Sequence, residues 1–159
     1  MVFGFVYLID NKMINRLLFK EHFSYFDKKI VVEIIDIFIE EYDERIIKLT
    51  QFINDKNIDD LRKAIHAFKG VISNFDLAGE AYKKAALIEH ETSVLLAEIK
   101  EGRAFSKEDS DKFFAEISNI FEVFKTESWV LLNELKQIRS EYCWFEPLQK
   151  NIRKKNPKI

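Results

Sequence analysis

One short stretch of the sequence, residues 64–75, carries side chains whose types and spacing could support chemistry. On a helix of 3.6 residues per turn, its apolar side chains centre about 140° away from His66, so the imidazole is predicted to face solvent. Lys69, Gly70 and Ser73 follow His66 by three, four and seven residues and share its outward side. A neutral imidazole is a nucleophile, and the free ring titrates at about pH 6.5. The pattern therefore predicts an accessible nucleophile with one cation beside it.

Gly70 adds to this interpretation because of its place one turn after His66. A glycine inside a helix costs about 0.5–1 kcal/mol relative to alanine. A helix that accepts this cost clears the surface beside the ring, where a second protein could bring up a reactive group. Two plainer interpretations compete with this one: a solvent-facing histidine is usually an ordinary surface residue, and a mid-helix glycine often lets two helices pack closely.

Residues 66–75 also follow a family pattern, His-x-x-Lys-Gly-x-x-x-Asn followed by an apolar residue. The pattern is met by His66, Lys69, Gly70, Asn74 and Phe75. This stretch resembles the phosphoacceptor helix of histidine-containing phosphotransfer (HPt) domains, which often have a small residue at the place of Ser73. Stretches at 34–41 and 85–89 are similar to the family's neighbouring helices, and the resemblance covers about residues 7–139.

The resemblance implies a relay of phosphoryl groups. His66 would accept a phosphoryl group from an aspartyl phosphate and pass it to another aspartate, while Lys69 would offset the phosphate charge. The remaining residues would take flanking or structural positions: Gly70 and Ser73 beside the phosphohistidine, Asn74 and Phe75 in the framework of the motif. The partners implied are receiver domains, of a hybrid histidine kinase and of a response regulator, which supply the magnesium ion and the acceptor carboxylate. The chain itself would need no cofactor and no metal, and with no ATP site it would be a relay protein rather than an enzyme.

The sequence departs from the family pattern in the turn after the motif. Asp76 stands where the family commonly has glycine. If this position requires a left-handed backbone, aspartate is among the few side chains that tolerate it. The following segment, 78–80, is about one residue longer than usual. Both departures concern the loop rather than the outward face of His66.

Other chemistry finds little support in the sequence. Neither a Glu-x-x-His nor a His-Glu-x-x-His motif occurs, and the four glycines cannot form a phosphate-binding loop. We expect His90 to be a solvated surface residue and His22 to lie at a boundary. The single cysteine, Cys143, cannot form an internal disulfide or a cysteine-based zinc site, and we expect it to be a small buried hydrophobe.

Five amphipathic segments with short polar joints account for most of the chain. Apolar residues recur at steps of three or four along each of them, which predicts helices. In the first, Ile14, Leu17 and Leu18 are expected on one face. The first predicted helix starts after a cap at Asp10 or Asn11 and ends near Phe23. The next three span about 27–53, 58–75 and 80–100. The last starts after a cap at Ser106 and ends at about Tyr142.

Composition agrees with an all-helical domain. The 159 residues include only four glycines and two prolines, both of them after residue 146, so the turns of a β-rich fold are missing. Hydrophobic residues make up 47%, which excludes a disordered chain. We expect an all-α fold, an antiparallel up-and-down four-helix bundle with an additional short N-terminal helix. One domain would span residues 1–146, and a basic, flexible tail would span 147–159.

Charge and targeting features argue against nucleic acid and membrane as partners and favour the cytoplasm. The net charge of −2 removes the electrostatic argument for nucleic acid. The apolar residues 1–9 are far short of the roughly 20 needed to span a bilayer and lack the features of a signal peptide, so we expect no membrane association. A lone cysteine fits the cytoplasm. We expect a cytoplasmic monomer.

Three functional hypotheses follow from these observations. The first is a phosphorelay intermediate with His66 as acceptor. The second is a helical interaction module that binds a receiver domain or another partner without transferring phosphate, and the third is a structural protein whose motif is accidental. On the second helix, Ile37 and Ile47 each lie about 140° off the inward stripe, on opposite sides of it, and we expect one of them to belong to a docking surface.

Overall fold

The structure of the protein, a computed structural model, describes residues 14–143, and all regular secondary structure in this range is helical. The five helices are α1 Arg16–His22, α2 Lys28–Asn54, α3 Ile58–Ser73, α4 Glu80–Lys100 and α5 Lys107–Cys143. The expected all-α class is confirmed. Among these described helices none is both long and apolar enough to cross a membrane. The expected caps at Asp10 and Asn11, the side chain of Cys143 and the tail at 147–159 lie outside what the structure describes.

Polar side chains fix where several helices begin. Asn57 Oδ1 accepts the N–H of Asp60 at 3.2 Å, which caps α3. Ser106 and Asp109 form a reciprocal cap on α5, since the Asp109 N–H donates to Ser106 Oγ at 3.1 Å and the Ser106 N–H donates to Asp109 Oδ2 at 2.9 Å. The cap at Ser106 was predicted from the sequence, and in both caps oxygen-bearing side chains satisfy otherwise unpaired N–H groups.

The four longer helices pack around one apolar core. α2 packs against α3 and α5, and α4 packs against the same two helices. At the centre lie three fully buried phenylalanines from three helices. The Phe68 ring centroid is 6.0 Å from that of Phe38 on α2 and 5.5 Å from that of Phe124 on α5. Such aromatic contacts stabilise beyond the area that they bury, so this cluster holds α3 in a fixed rotation.

The inward face of α1 differs from the sequence-based expectation. Ile14 is buried as expected, but Leu17 and Leu18 are 66% and 59% exposed. Phe19 and Phe23 are buried in their place. Asn15 Oδ1 caps the helix by accepting the Leu17 and Leu18 N–H groups, so only seven residues are helical. Phe19 and Phe23 are four residues apart and bury more apolar surface than the two leucines would. In so short a helix, this difference determines which side packs against the core.

α1 covers the extra length of two longer helices. α2 and α5 have 27 and 37 residues, against 16 and 21 for α3 and α4. The core side chains of their extra turns, such as Val31 and Ile138, belong to the same buried cluster as Phe19 and Phe23. A bidentate ion pair joins the two helices there, with Arg139 Nε and Nη2 at 2.6 and 3.0 Å from Asp36. α1 therefore completes the core beyond the end of α3.

A polar gap in the apolar stripe of α5 is filled from another helix. Ser128 is fully buried, and its hydroxyl shares a hydrogen bond of 2.9 Å with the phenolic oxygen of Tyr42 on α2. Burial raises the pKa of Tyr42 above its usual value, so the phenol stays protonated and able to donate. The pair satisfies two buried polar groups between α2 and α5.

Candidate functional site

His66 lies in the middle of α3 on its solvent side. Its side chain is 66% exposed. On the opposite side of the helix, Leu61, Ile65, Phe68 and Ile72 are completely buried, and they anchor α3 to the core. The predicted outward orientation of the imidazole is therefore confirmed.

Glu89 of α4 joins His66 to Lys69. Its Oε1 lies 2.5 Å from His66 Nδ1, and its Oε2 forms an ion pair with Lys69 Nζ. The neighbouring residue Ile88 is fully buried, which fixes the rotation of α4 against α3. Lys69 also lies over the ring of Tyr82, with Nζ 6.0 Å from the ring centroid. Three side chains from two helices thus form one hydrogen-bonded group.

The charge of Glu89 determines which nitrogen of His66 is available. Burial alone would raise the pKa of Glu89, but hydrogen bonds from Lys69 and His66 together outweigh it and hold the pKa below its usual value. An ionised carboxylate can only accept hydrogen bonds, so Nδ1 of His66 must carry the proton. In the neutral ring the free lone pair then lies on Nε2. The imidazole is thereby oriented with one nucleophilic nitrogen available.

Gly70 leaves open space beside the ring. A Cβ atom built at this position meets no heavy atom within 4 Å. Close packing of helices therefore does not account for this glycine within the described part of the chain. The surface beside His66 is open at this position, as the sequence predicted.

Ser73 shares the outward face but is turned back onto its own helix. Its hydroxyl donates to the carbonyl of Gly70 at 2.6 Å. This bond is local and holds the side chain along α3, one turn beyond the glycine. Ser73 thus borders the cleared patch without pointing to His66.

The end of the motif is structural. α3 ends at Ser73, and Asn74 follows with an ordinary right-handed backbone at φ −67°. Phe75 is buried, with its ring edge-on to Phe38 at 5.4 Å between centroids. Phe75 therefore fixes the C-terminal end of α3 to α2.

Asp76 does not need the left-handed backbone that the sequence analysis considered. Among the described residues other than glycine, only Lys56 has a positive φ. Asp76 Oδ1 instead accepts the Ala78 N–H at 3.2 Å. The carboxylate lies against Gly79, where an added Cβ would stand 1.7 Å from Asp76 Oδ2. Burial raises the pKa of Asp76, and hydrogen bonds from the backbone of Ala78 and Gly79 oppose this rise. A side chain at 79 would therefore displace the Asp76 carboxylate, whereas the backbone at 76 does not require glycine.

Ile37 and Ile47 are both exposed, at 47% and 65%, and they border different helices. Glu41 lies one turn after Ile37, on the edge of α2 that is next to α3. That edge forms a groove lined by Glu41, Glu44, Arg45, Lys48, Ala64 and Ala67. Ile47 lies three turns after Asp36 and therefore on the same side of α2. Asp36 pairs with Arg139 of α5, so this side is next to α5. Ile37 therefore lies on the side of α2 that faces the His66 helix.

The other histidines have no comparable surroundings. His90 is exposed on α4 as expected, and His22 is exposed at the end of α1, with its ring edge-on to Phe23 at 4.8 Å between centroids. Within residues 14–143 no group of three or more His, Cys, Asp or Glu side chains could hold a metal ion.

Glu89 is the site residue that sequence reasoning missed. It stands 23 residues after His66, on another helix, and its sequence surroundings match no motif. Its position on the flank of the α4 stripe, directly after Ile88, was the available signal, because flank positions border the adjacent helix.

Comparison with known proteins gives no relative of this chain. No protein-family model matches it, and neither a curated protein nor a solved structure is found to be similar. Its function must therefore be inferred from the geometry of its own residues.

Proposed function

We propose that this protein is a histidine phosphotransfer protein of a two-component phosphorelay. His66 accepts a phosphoryl group from the aspartyl phosphate of one receiver domain and passes it to the aspartate of another. The observation that carries the proposal is the exposed imidazole whose Nδ1 is held by Glu89, next to the open patch at Gly70. The match of residues 66–75 to the HPt pattern supports the same function.

The packing of the helices supports the architecture that this function requires. Contacts run from α2 to α3, from α3 to α4, from α4 to α5 and from α5 back to α2. With short connections between successive helices, this order favours an antiparallel four-helix bundle, to which α1 is added at one end. In such a bundle the exposed His66 side chain in the middle of α3 is accessible to a globular partner.

The chemistry assigned to the chain is nucleophilic attack by His66. The Nε2 lone pair forms the new N–P bond while the bond between phosphorus and the aspartyl oxygen breaks, and the carboxylate of the partner leaves with that electron pair. The Nδ1 proton stays on the ring, which becomes positively charged, and the Glu89 carboxylate offsets this charge at 2.5 Å. Lys69 stands one turn away to offset the charge of the phosphoryl oxygens. Alignment and charge stabilisation supply most of the acceleration in such transfers.

The remaining parts of the proposal concern the partners and the compartment. Receiver domains of a hybrid histidine kinase and a response regulator would supply the magnesium ion and the acceptor carboxylate. A cytoplasmic monomer fits this role, and the single cysteine in the sequence agrees with a reducing compartment.

The first prediction is that His66→Gln keeps the fold and loses all phosphoryl acceptance. An exposed side chain contributes little packing, so the melting temperature should change little. The measurement is acid-labile phosphate on the purified chain after incubation with a receiver domain charged by acetyl phosphate. His90→Gln is the matched control, since His90 is also exposed on a helix, and it should accept phosphate at the wild-type rate. Acid-labile phosphate on His66→Gln at the wild-type level would overturn the proposal.

A second candidate function is docking of a partner without transfer. The groove beside Ile37, with alanines on the α3 side and charged residues on the α2 side, would fit a partner helix whether or not phosphate moves. This candidate predicts that His66→Gln binds the receiver domain as well as the wild type does, and that neither chain ever carries phosphate.

A further inference from the structure

A second groove lies at the end of the molecule formed by α1 and the α3–α4 turn. Its walls include Leu18 of α1 and Phe23 directly after it, Ser73 of α3, and Leu77 and Ala78 of the turn, and its volume is about 310 Å³. We call it the α1 groove. Leu18 and Leu77 on its rim are both more than half exposed. Exposed leucines on both rims of one groove are more than scattered surface residues, and they indicate a binding site for an apolar segment.

The walls of the α1 groove carry almost no charge. Asp76 is the one acidic side chain among them, and no lysine or arginine lines the groove. Asp76 Oδ1 accepts the Ala78 N–H at 3.2 Å, whereas its Oδ2 is buried and accepts no hydrogen bond in the described structure. Apart from Asp76 and His22 the lining side chains are uncharged, so the walls favour an apolar occupant over an acidic one and offer a basic occupant a single carboxylate.

The chain enters the described structure beside this groove. Ile14 is buried, and its N–H donates to Glu134 Oε2 of α5 at 2.7 Å. The next residue, Asn15, lines the groove. Whatever precedes Ile14 is therefore tethered within a few residues of the groove.

The composition of that preceding segment matches the groove. Residues 2–9 read Val-Phe-Gly-Phe-Val-Tyr-Leu-Ile and contain no charged side chain. The four residues 10–13, which include Asp10 and Lys12, can span at most about 13–14 Å. A tether this short gives an effective concentration in the millimolar range, so weak apolar contacts are enough for docking.

The C-terminal segment of the chain is a poorer candidate for the occupant of the α1 groove. Residues 147–159 carry five lysines and arginines and no acid. They follow α5, whose last turn borders a different pocket with three basic residues, Arg16, Lys20 and Lys28, and one acid, Glu141, which already pairs with Arg16. A basic segment is not attracted to that pocket, and it has no counter-charge in the α1 groove beyond Asp76.

We propose that residues 2–9 dock in the α1 groove and cover Leu18 and Leu77. The docked segment borders the His66 face, because Ser73 belongs to both surfaces and lies about 10.5 Å along α3 from His66. A partner seated on His66 that extends past Ser73 meets this segment. The inference does not depend on the proposed function, since it concerns only contacts within the chain.

The experiment is limited chymotrypsin digestion of the full chain, with the cuts after Phe3, Phe5 and Tyr7 followed by mass spectrometry. Docking protects these sites, because cleavage requires local opening. Leu18→Asp and Leu77→Asp should each accelerate the cuts by at least about fivefold. Ile47→Asp is the matched control, an exposed isoleucine on the far edge of α2, and it should leave the rate unchanged. Melting temperatures show whether either groove variant loses its fold, and two independent variants keep the test decisive.

Equal cleavage rates in wild type and both groove variants would overturn the proposal. Acceleration by Ile47→Asp to the same extent would also overturn it, since that result indicates general loosening. A dimer in sedimentation that both groove variants abolish would assign the groove to a second copy instead. His66→Gln should be digested at the wild-type rate, so failure of the phosphotransfer proposal and failure of this one give different results.

Discussion

At the scale of single residues, Glu89 distinguishes His66 from an ordinary surface histidine. Both other histidines of the chain are exposed, yet only His66 has a carboxylate at hydrogen-bond distance among the described contacts. The carboxylate is itself held by Lys69, which stops it from turning to solvent. An exposed ring is thereby given one orientation and one protonated nitrogen.

The second prediction is that Glu89→Gln slows phosphoryl acceptance while His66 remains present. The amide keeps the size of the side chain but loses the charge that fixes the proton on Nδ1 and offsets the charged ring. We expect a loss of roughly tenfold in rate, equivalent to about 1.4 kcal/mol in the barrier. Single-turnover transfer from a phosphorylated receiver domain measures it. Glu91→Gln, on the side of α4 away from His66, is the control, and an equal loss in both variants would contradict the assignment.

The third prediction concerns the pH dependence of stability. The pKa of Glu89 is lower in the folded chain than its ordinary value of 4.5, so its ionised form stabilises the fold above that pH. This contribution is lost as the pH falls through the folded pKa. Wild type should therefore be more stable than Glu89→Gln at pH 7, and the difference should shrink as the pH falls below about 4.5. Urea unfolding at several pH values measures it, and a difference that does not vary with pH would refute this role of the charge.

At the scale of elements, α3 is less stable than it could be, because it has a glycine, Gly70, in its interior. A Cβ at Gly70 would meet nothing, so alanine there would cost no packing and would strengthen the helix. The sequence has glycine instead, one turn from the ring of His66. Open space on the outer surface of α3 is therefore the feature that the proposed partner would use.

The fourth prediction compares two substitutions at this position. Gly70→Gln and Gly70→Ala should each stabilise the chain by up to about 1 kcal/mol. Only glutamine adds enough bulk to obstruct a partner, so it should slow transfer strongly while alanine slows it little. Thermal melts and single-turnover kinetics on both variants measure the two effects. Unchanged kinetics in Gly70→Gln would mean that no partner approaches there.

The sequence predicted the long helices well and the short one poorly. Along α2 and α3 the apolar side chains recur over several turns, so helix, face and core follow from the period alone. α1 has two turns, and over so few residues Leu17 and Phe19 define competing faces that only the packing of α2 and α5 resolves. Glu89 was out of reach for a related reason, since its contact with His66 depends on the relative rotation of two helices.

At the scale of the whole molecule, the surface around His66 is asymmetric. Towards α4 it is charged, with Glu89 and Lys69 paired. Towards α2 it has the groove with Ala64 and Ala67, and Ile37 lies in line with it. A partner that covers His66 would meet ionic contacts on one side and apolar contacts on the other, which fixes its orientation.

The fifth prediction is that Ile37→Ser weakens receiver binding and Ile47→Ser does not. Both side chains are exposed, so neither change should shift the melting temperature by much. Only Ile37 lies on the edge of α2 that faces the His66 helix. Titration calorimetry with a receiver domain gives the two affinities. Equal affinities in both variants and the wild type would remove Ile37 from the docking surface.

The shared use of Glu89 by His66 and Lys69 has a consequence for the energetics of the proposed relay. A phosphoryl group on Nε2 brings about two negative charges close to a carboxylate that is already ionised, and both compete for the one ammonium group of Lys69. The repulsion raises the free energy of the phosphorylated chain, while the attraction of Glu89 for the charged ring lowers it. Because the two effects oppose each other, Glu89 shifts the free energy of the loaded chain by less than either effect alone would. Under the proposed function, this carboxylate would therefore bias transfer towards donor or acceptor less strongly than an unopposed charge would.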